Sequence, residues 1–364
     1  MKDSQSGAAS PVSRRNRATR KETYAGAGVD IARKSSVISS IRQMAASTLG
    51  PQVLSGVGFY GGMYEFKGYK DPVLVSSVDG VGTKIKLAVA LNKHDTVGVD
   101  IVNHCVDDII TCGAKPLFFL DYVGVGKVVP ERMEAIVKGL SEACKTAGCA
   151  LIGGEIAEMP SVYGIDDYDL VGFIIGVVEK SKIIKGESIV EGDTVIGLPS
   201  SGLHTNGYTL ARRILGDTRE ALEVYDPSLR RTLGEALLEP HRSYYHELVG
   251  VLSMLKGIAH VTGAGIIGNI SRILPKGLAI QITTDSWDIP PIFHLIQERG
   301  NVETREMFRV FNMGIGMVLV CSSEHERRLV RALPDARAIG KVVRPRGRVR
   351  AIIDGVGYRS DKVR

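Results

Sequence analysis

The stretch Val73-Leu74-Val75-Ser76-Ser77-Val78-Asp79-Gly80-Val81-Gly82-Thr83-Lys84 passes from an apolar run into a glycine turn, and residues 84–91 then continue with helical character. A strand that feeds a helix through a tight turn is the building step of α/β architecture. Gly80 and Gly82 let backbone amides approach an anion, Asp79 can hold a cation, and Lys84 can meet a phosphate. An ordinary strand-to-helix turn with an Asp cap fits the same residues.

The same alternation extends outward. Residues 30–49 read as a helix stopped by Gly50-Pro51, residues 100–112 as a second helix closed by Gly113, and residues 131–147 as a third stopped by Gly148. Residues 117–123, 150–152 and 169–178 read as strands. A polar segment, 179–192, separates a second half in which 194–198, 278–282, 317–321 and 338–343 read as strands. Residues 210–215, 244–255, 291–299 and 324–333 read as helices. With 364 residues and 44% hydrophobic content, the chain is expected to form two domains of α/β (α+β) type. The expected division is a basic tail over 1–22, a first domain over 23–180, a second over 181–345 and a basic tail over 346–364.

The formal charge of +6 is misleading until it is located. Lys2, Arg14, Arg15, Arg17, Arg20 and Lys21 face only Asp3 in residues 1–21, and residues 341–364 are also strongly basic, so residues 22–340 are net acidic. A basic nucleic-acid groove is therefore not expected in the folded body. Cys105, Cys112, Cys144, Cys149 and Cys321 make no C-x-x-C pair, which suits reduced thiols in a cytoplasmic protein. No run of about 18 apolar residues suggests a membrane span. The Ser/Arg-rich first 20 residues lack a secretory apolar core, leaving a disordered extension or a transit peptide.

Gly56-x-Gly58-x-x-Gly61 matches a dinucleotide fingerprint in letters only, because a helix stop precedes it and an extended stretch follows it. A glycine loop that folds over phosphates and a surface hairpin both remain open for it. There is no Walker A pattern. Asp100 and Asp107 or Asp108 fall on one helix face and suit magnesium, while Asp107 alone reads as a solvated charge. Gly153-Gly154-Glu155 places a carboxylate after a buried strand. Ser200-Ser201-Gly202-Leu203-His204-Thr205-Asn206-Gly207 gathers hydroxyl, imidazole and amide groups, with His204 available for proton transfer or simply solvent-exposed.

Together with Tyr24-Ala25-Gly26-Ala27-Gly28-Val29-Asp30, Pro116 to Tyr122, Ala157-Glu158-Met159-Pro160, His260 to Gly263 and Phe311 to Met317, these segments resemble the phosphoribosylformylglycinamidine cyclo-ligase (aminoimidazole ribonucleotide synthetase) family. The resemblance runs in order over roughly residues 23–345. It implies a homodimer whose ferredoxin-like first domains pair into a shared barrel, and an ATP-dependent ring closure that yields aminoimidazole ribonucleotide, ADP and phosphate. It implies Mg2+ at Asp79 and Asp108, and ATP contacts from Gly58, Gly61, Gly62, Asp79, Gly80, Gly82, Thr83, Lys84, Asp100 and Asp108. It further implies catalytic roles for Lys84, Glu155 and His204, and substrate contacts from Ser201, Asn206 and His260. Asp107 stands where the family usually has Asn, Ile156 where it has Thr, Ala264 where it has Gly, and Gly268 where a Glu is common. Kinases of the same architecture, such as thiamine-monophosphate kinase, are the alternative; a non-catalytic nucleotide-binding regulator would have no need of Glu155 or His204.

Overall fold

The structure, a computed structural model, describes residues 31–345 and 347–359. The tail over 1–22 and the Tyr24–Asp30 motif lie outside the described residues.

The first half builds one four-stranded sheet from β1 (Pro72–Gly80), β2 (Lys115–Val125), β3 (Ala150–Glu158) and β4 (Tyr168–Glu179), in the order β1-β4-β2-β3. The β2–β3 pair is parallel and the others antiparallel. The helices are α1 (Ile31–Ala46), α2 (Ile85–Leu91), α3 (Asp95–Ile110) and α4 (Pro130–Ala147). The parallel pair arises because α4 carries the chain back over the sheet between β2 and β3, as a crossover helix must. This β-α-α-β-α-β-β order with one parallel pair differs from the β-α-β-β-α-β that the ferredoxin-like expectation needs.

Helix α3 is buried along almost its whole length. It crosses α4 with backbones nearly touching: a Cβ on Gly98 would lie 2.3 Å from the Ile136 carbonyl, and one on Gly139 2.0 Å from that of Asp95. Only glycine permits that approach. The helices cover one face of the sheet. On the other, Val78, Phe173 and Leu120 form a cross-strand row, with Val78 54% and Phe173 44% exposed and Leu74 nearby at 65%.

The second half forms a seven-stranded sheet from β5 (Thr194–Pro199), β8 (Leu255–His260), β9 (Ala279–Ile282), β10 (Ile315–Cys321), β11 (Arg337–Val343), β12 (Ala351–Ile353) and β13 (Val356–Tyr358). A small hairpin of β6 (Tyr225–Asp226) and β7 (Arg231–Thr232) stands apart. Every residue of β10 is buried, as its unbroken apolar run demands. Two expectations change. The helix read over 244–255 is a short Tyr245–Leu248 turn and a 3-10 turn Leu252–Met254, followed by the buried strand β8. Much of 346–364 is not a tail, because β12 pairs in parallel with β9 and β13 completes the edge; the apolar Ala351-Ile352-Ile353 run outweighs the surrounding arginines.

Candidate active site

One face of α3 organises the site. Asp100, His104, Asp107 and Asp108 recur at helical spacing, and each reaches across to a different partner. Asp100 accepts from Lys84 Nζ at 2.9 Å and from the His241 amide at 2.7 Å. Asp107 accepts from the Tyr244 amide at 2.9 Å. Asp108 accepts from Ser77 Oγ at 2.8 Å and from His260 Nδ1 at 2.9 Å. His104 donates from Nε2 to Asp79 Oδ2 at 3.0 Å, while its Nδ1 meets Thr205 Oγ1 at 2.7 Å. The helix thereby joins the β1 turn to the loops of the second sheet.

The electrostatics divide this face in two. Burial works against the Asp79 carboxylate, but the His104 hydrogen bond and charge outweigh it and lower the Asp79 pKa. Burial likewise opposes ionisation of Asp108, yet its contact with His260 brings the pKa down to about 2. Both are ionised near neutral pH, and Asp79 is 46% exposed at the side chain. Burial lowers the His104 pKa less than Asp79 and Asp108 raise it, so the net shift is upward. Deeper in, burial holds His204 and His241 well below the usual imidazole range, with the charges of neighbouring groups adding to the effect. Burial pushes Asp107 well up, so its carboxyl resists ionisation. Asp107 is thus not the solvated charge expected of it, because the second domain closes over that turn of the helix.

Three candidate residues face inward. Lys84 is fully buried, and its ammonium binds Asp100 and the carbonyls of His204 and Glu239. It clamps the two halves together and does not reach toward a phosphate; the 3-10 turn Gly82–Lys84 rotates it into the core. Asp100, its partner, is equally buried and takes no part in an open metal site. His204 is 1% exposed, accepts the Ser201 amide at Nε2 (3.1 Å) and stacks on His241 at 4.0 Å. It is therefore not placed to exchange protons with a ligand in the cleft. Its left-handed backbone (φ 61°) turns the ring inward, and a Cβ on Gly316 would strike it, which explains the glycine in Phe311 to Met317.

Thr83 and Asn206 do converge on the cleft between the halves, whereas His260 is buried at its floor with Nδ1 on Asp108 and Nε2 on His241. Thr83 Oγ1 lies 3.0 Å from Thr209 Oγ1, and Asn206 Oδ1 abuts Gly263. Ser201 Oγ donates to the Pro240 carbonyl and so anchors its loop. Beyond Asn206, Gly207, Gly263, Gly268, Arg305 and Arg309 line a cavity of about 820 Å³.

Glu155 is not brought to Asp79. At one level of the sheet Asp79 pairs with Gly172, Gly172 with Asp121, and Asp121 with Gly154. Successive residues alternate faces, so Glu155 projects from the face opposite Asp79 and three strands away. Strand β3 also runs through Glu158, so Glu155 sits within a strand and not in the loop expected after it. Gly58, Gly62 and Glu155 instead line a separate cavity of about 480 Å³ beside β3, together with Asp121, whose pKa burial raises to about 7.

Asn103-His104 stands on the Asp100–Asp108 helix without a role assigned from sequence, and His241 gives no sign of one. His104 could have been found, because it lies four residues from both Asp100 and Asp108. His241 carries no local signal, since its contacts to α3 span the two halves.

This constellation defines the class of protein. Residues 62–178 match the family described as AIR synthase related protein, N-terminal domain, and residues 190–352 match AIR synthase related protein, C-terminal domain. A phosphoribosylformylglycinamidine cyclo-ligase of Geobacillus sp. (strain WCH70) is 49% identical over 336 residues, covering 90% of this chain and 97% of that protein. The chain belongs to the phosphoribosylformylglycinamidine cyclo-ligase family. Among solved structures, thiamine-monophosphate kinase from Stenotrophomonas maltophilia K279a aligns with a TM-score of 0.64 at 16% identity, covering 88% of this chain and 96% of that one. Hydrogenase maturation protein HypE in complex with ATP aligns with a TM-score of 0.61 at 13% identity, covering 91% and 94%. At these identities the likeness shows a shared fold.

Proposed function

We propose that this chain closes the imidazole ring of formylglycinamidine ribonucleotide at the expense of ATP, giving aminoimidazole ribonucleotide, ADP and phosphate. The observation that carries this reading is the cleft in which ionised Asp79 and Asp108 stand beside the Ser200–Gly207 and His260–Gly263 loops, in a chain whose cyclo-ligase relatives match it from end to end of their length.

ATP transfers its γ-phosphoryl group to the formyl oxygen, which converts a poor leaving group into phosphate. The amidine nitrogen then attacks the former formyl carbon, and the carbon–oxygen bond breaks as phosphate departs. Holding both ends of one substrate in a single cleft supplies much of the barrier reduction. Asp79 and Asp108 fit a divalent cation, because both are ionised and Asp79 opens to solvent. Mg2+ bound there would neutralise charge on the transferring phosphoryl group. The amides of Gly80 and Gly82 and the hydroxyl of Thr83 hold phosphate oxygens. Asn206 positions the ribonucleotide, Ser201 fixes the loop that presents it, and Arg305 meets the ribonucleotide phosphate.

The Gly58, Gly61, Gly62 and Glu155 region is remote from Asp79 within one chain. A homodimer built on the open Val78–Phe173–Leu120 face would bring one chain's glycine loop toward the other's phosphate turn. The apolar character of that face supports such a barrel.

The test is to incubate purified protein with ATP, Mg2+ and formylglycinamidine ribonucleotide. ADP and aminoimidazole ribonucleotide should appear in equal amounts. ATP turnover with thiamine monophosphate and none with the ribonucleotide would overturn the reading in favour of a kinase.

A further inference from the structure

Four side chains at the cleft floor are each held at one atom and left with the other pointing inward. Asp79 Oδ1 accepts its neighbouring Gly80 amide at 2.7 Å, leaving Oδ2. His104 is fixed through Nδ1 by Thr205 Oγ1, leaving Nε2. Asp108 is fixed through Oδ2 by Ser77, leaving Oδ1. His260 is fixed through Nε2, 3.0 Å from His241 Nε2, leaving Nδ1. The inward atoms lie close together. His104 Nε2 is 3.0 Å from Asp79 Oδ2, His260 Nδ1 is 2.9 Å from Asp108 Oδ1, and donor atoms of His104, Asp108 and His260 all fall within 4.8 Å of one another.

We infer that His104, Asp108 and His260, beside the Asp79 carboxylate, form a mixed nitrogen–oxygen site for a divalent transition ion of the manganese, cobalt or zinc type, and that this chain prefers such an ion to magnesium. Ligands about 2.0–2.1 Å from a tetrahedral ion stand roughly 3.3 Å apart, so loading draws the His104, Asp108 and His260 donors, now within 4.8 Å of one another, closer together. Magnesium is a hard ion that favours oxygen and retained water, whereas imidazole suits the later first-row metals. Two imidazoles among three donors therefore shift the preference. The outer partners Thr205, His241 and Ser77 hold the ligands in orientation, as partners behind metal-binding imidazoles and carboxylates do. Loading exchanges protons for the ion: His260 releases its Nδ1 proton, the proton it shares with His241 moves onto His260 Nε2, and His241 takes one at Nδ1 in its place, while His104 releases its Nε2 proton and keeps the one on Nδ1 toward Thr205.

The inference rests on the reading of Asp108, beside Asp79, as a cation ligand, but it is tested without nucleotide. The full chain, stripped with chelator, is titrated with Mn2+, Co2+ or Mg2+ alone by equilibrium dialysis, and bound Co2+ is followed by visible absorption. The expected result is a single Co2+ or Mn2+ per chain held at least about a hundredfold more tightly than Mg2+. His104→Gln should weaken Co2+ about tenfold to a hundredfold, with a smaller effect on Mg2+. If His104→Gln fails to fold, Thr205→Val keeps the ligand, frees its ring and should weaken Co2+ while blurring its spectrum. Equal affinity for Co2+ and Mg2+, or Co2+ binding untouched by a folded His104→Gln variant, overturns the inference. A magnesium-preferring protein that still closes the ring leaves the proposed function standing, and a cobalt-binding protein without ring closure refutes only that function.

Discussion

Asp108 on α3 and His260 at the end of β8 meet at 2.9 Å, so the first sheet's helix and the second sheet's edge share one charged contact at the floor of the cleft. A few ångströms away Lys84 and Asp100 join the same halves without any contact with solvent. The cleft is thus backed by a buried ionic clamp, and the catalytic proposal depends on the two halves being held in one arrangement.

That clamp gives the first prediction. Removing one partner of a buried pair leaves the other uncompensated, at a cost of about 3–5 kcal/mol. Lys84→Met should lower unfolding free energy by that order in a denaturant titration. The double variant Lys84→Met, Asp100→Leu should recover part of the loss. Wild-type stability in Lys84→Met would show that the pair does not hold the halves.

Ala264 and Gly268 form a second coupled pair. Ala264 adopts a left-handed conformation (φ 74°), and a Cβ on Gly268 would lie 2.5 Å from the Ala264 Cβ. The alanine is strained by roughly 1–2 kcal/mol, and the glycine leaves the space it needs. Ala264→Gly should therefore stabilise the fold by about 1 kcal/mol, less any loss from greater freedom in the unfolded chain. Gly268→Ala should destabilise the wild type and be better tolerated alongside Ala264→Gly, an interaction that a double-mutant cycle measures directly.

The pH dependence of stability should carry a signature of His94. Burial, aided by the Arg132 charge, lowers its pKa from 6.5 to about 4. The folded state favours the neutral ring, so this contribution is fully present above pH 6.5 and is lost as pH falls toward 4. The full effect is about 3 kcal/mol. Chemical denaturation of His94→Gln at several pH values should show a shallower decline across that window; an unchanged slope would exclude His94 as its source.

The open face of the first sheet predicts assembly. Val78→Glu should convert a dimer to monomers in light scattering while leaving the circular dichroism spectrum intact. It should also reduce ring closure, since the glycine loop and the phosphate turn would no longer meet across the interface. A wild-type protein that is monomeric and fully active would contradict the shared-site reading.

Much of this molecule was legible in its residues. The strand, glycine turn and helix around Asp79 appear where hydrophobic runs and glycines place them, and α4 ends at Gly148 in the left-handed conformation that such a stop uses. What pattern could not supply was depth. Lys84 resembles a phosphate ligand in sequence, but a single 3-10 turn swings it into the core. His204 resembles a loop histidine open to solvent, but a positive φ buries it against His241. Asp107 looks like a solvated helix charge until Tyr244, more than a hundred residues later, closes over it. Each error has the same origin: local spacing fixes which residues share a face, and only long-range packing decides what that face meets.

The most direct test of the account follows the formyl oxygen. Formylglycinamidine ribonucleotide carrying a heavy oxygen isotope in its formyl group should, with ATP and this protein, yield inorganic phosphate that bears the label in proportion to the aminoimidazole ribonucleotide formed. Unlabelled phosphate, with the heavy oxygen recovered in water, would contradict transfer of the phosphoryl group to the substrate and with it the proposed ring closure.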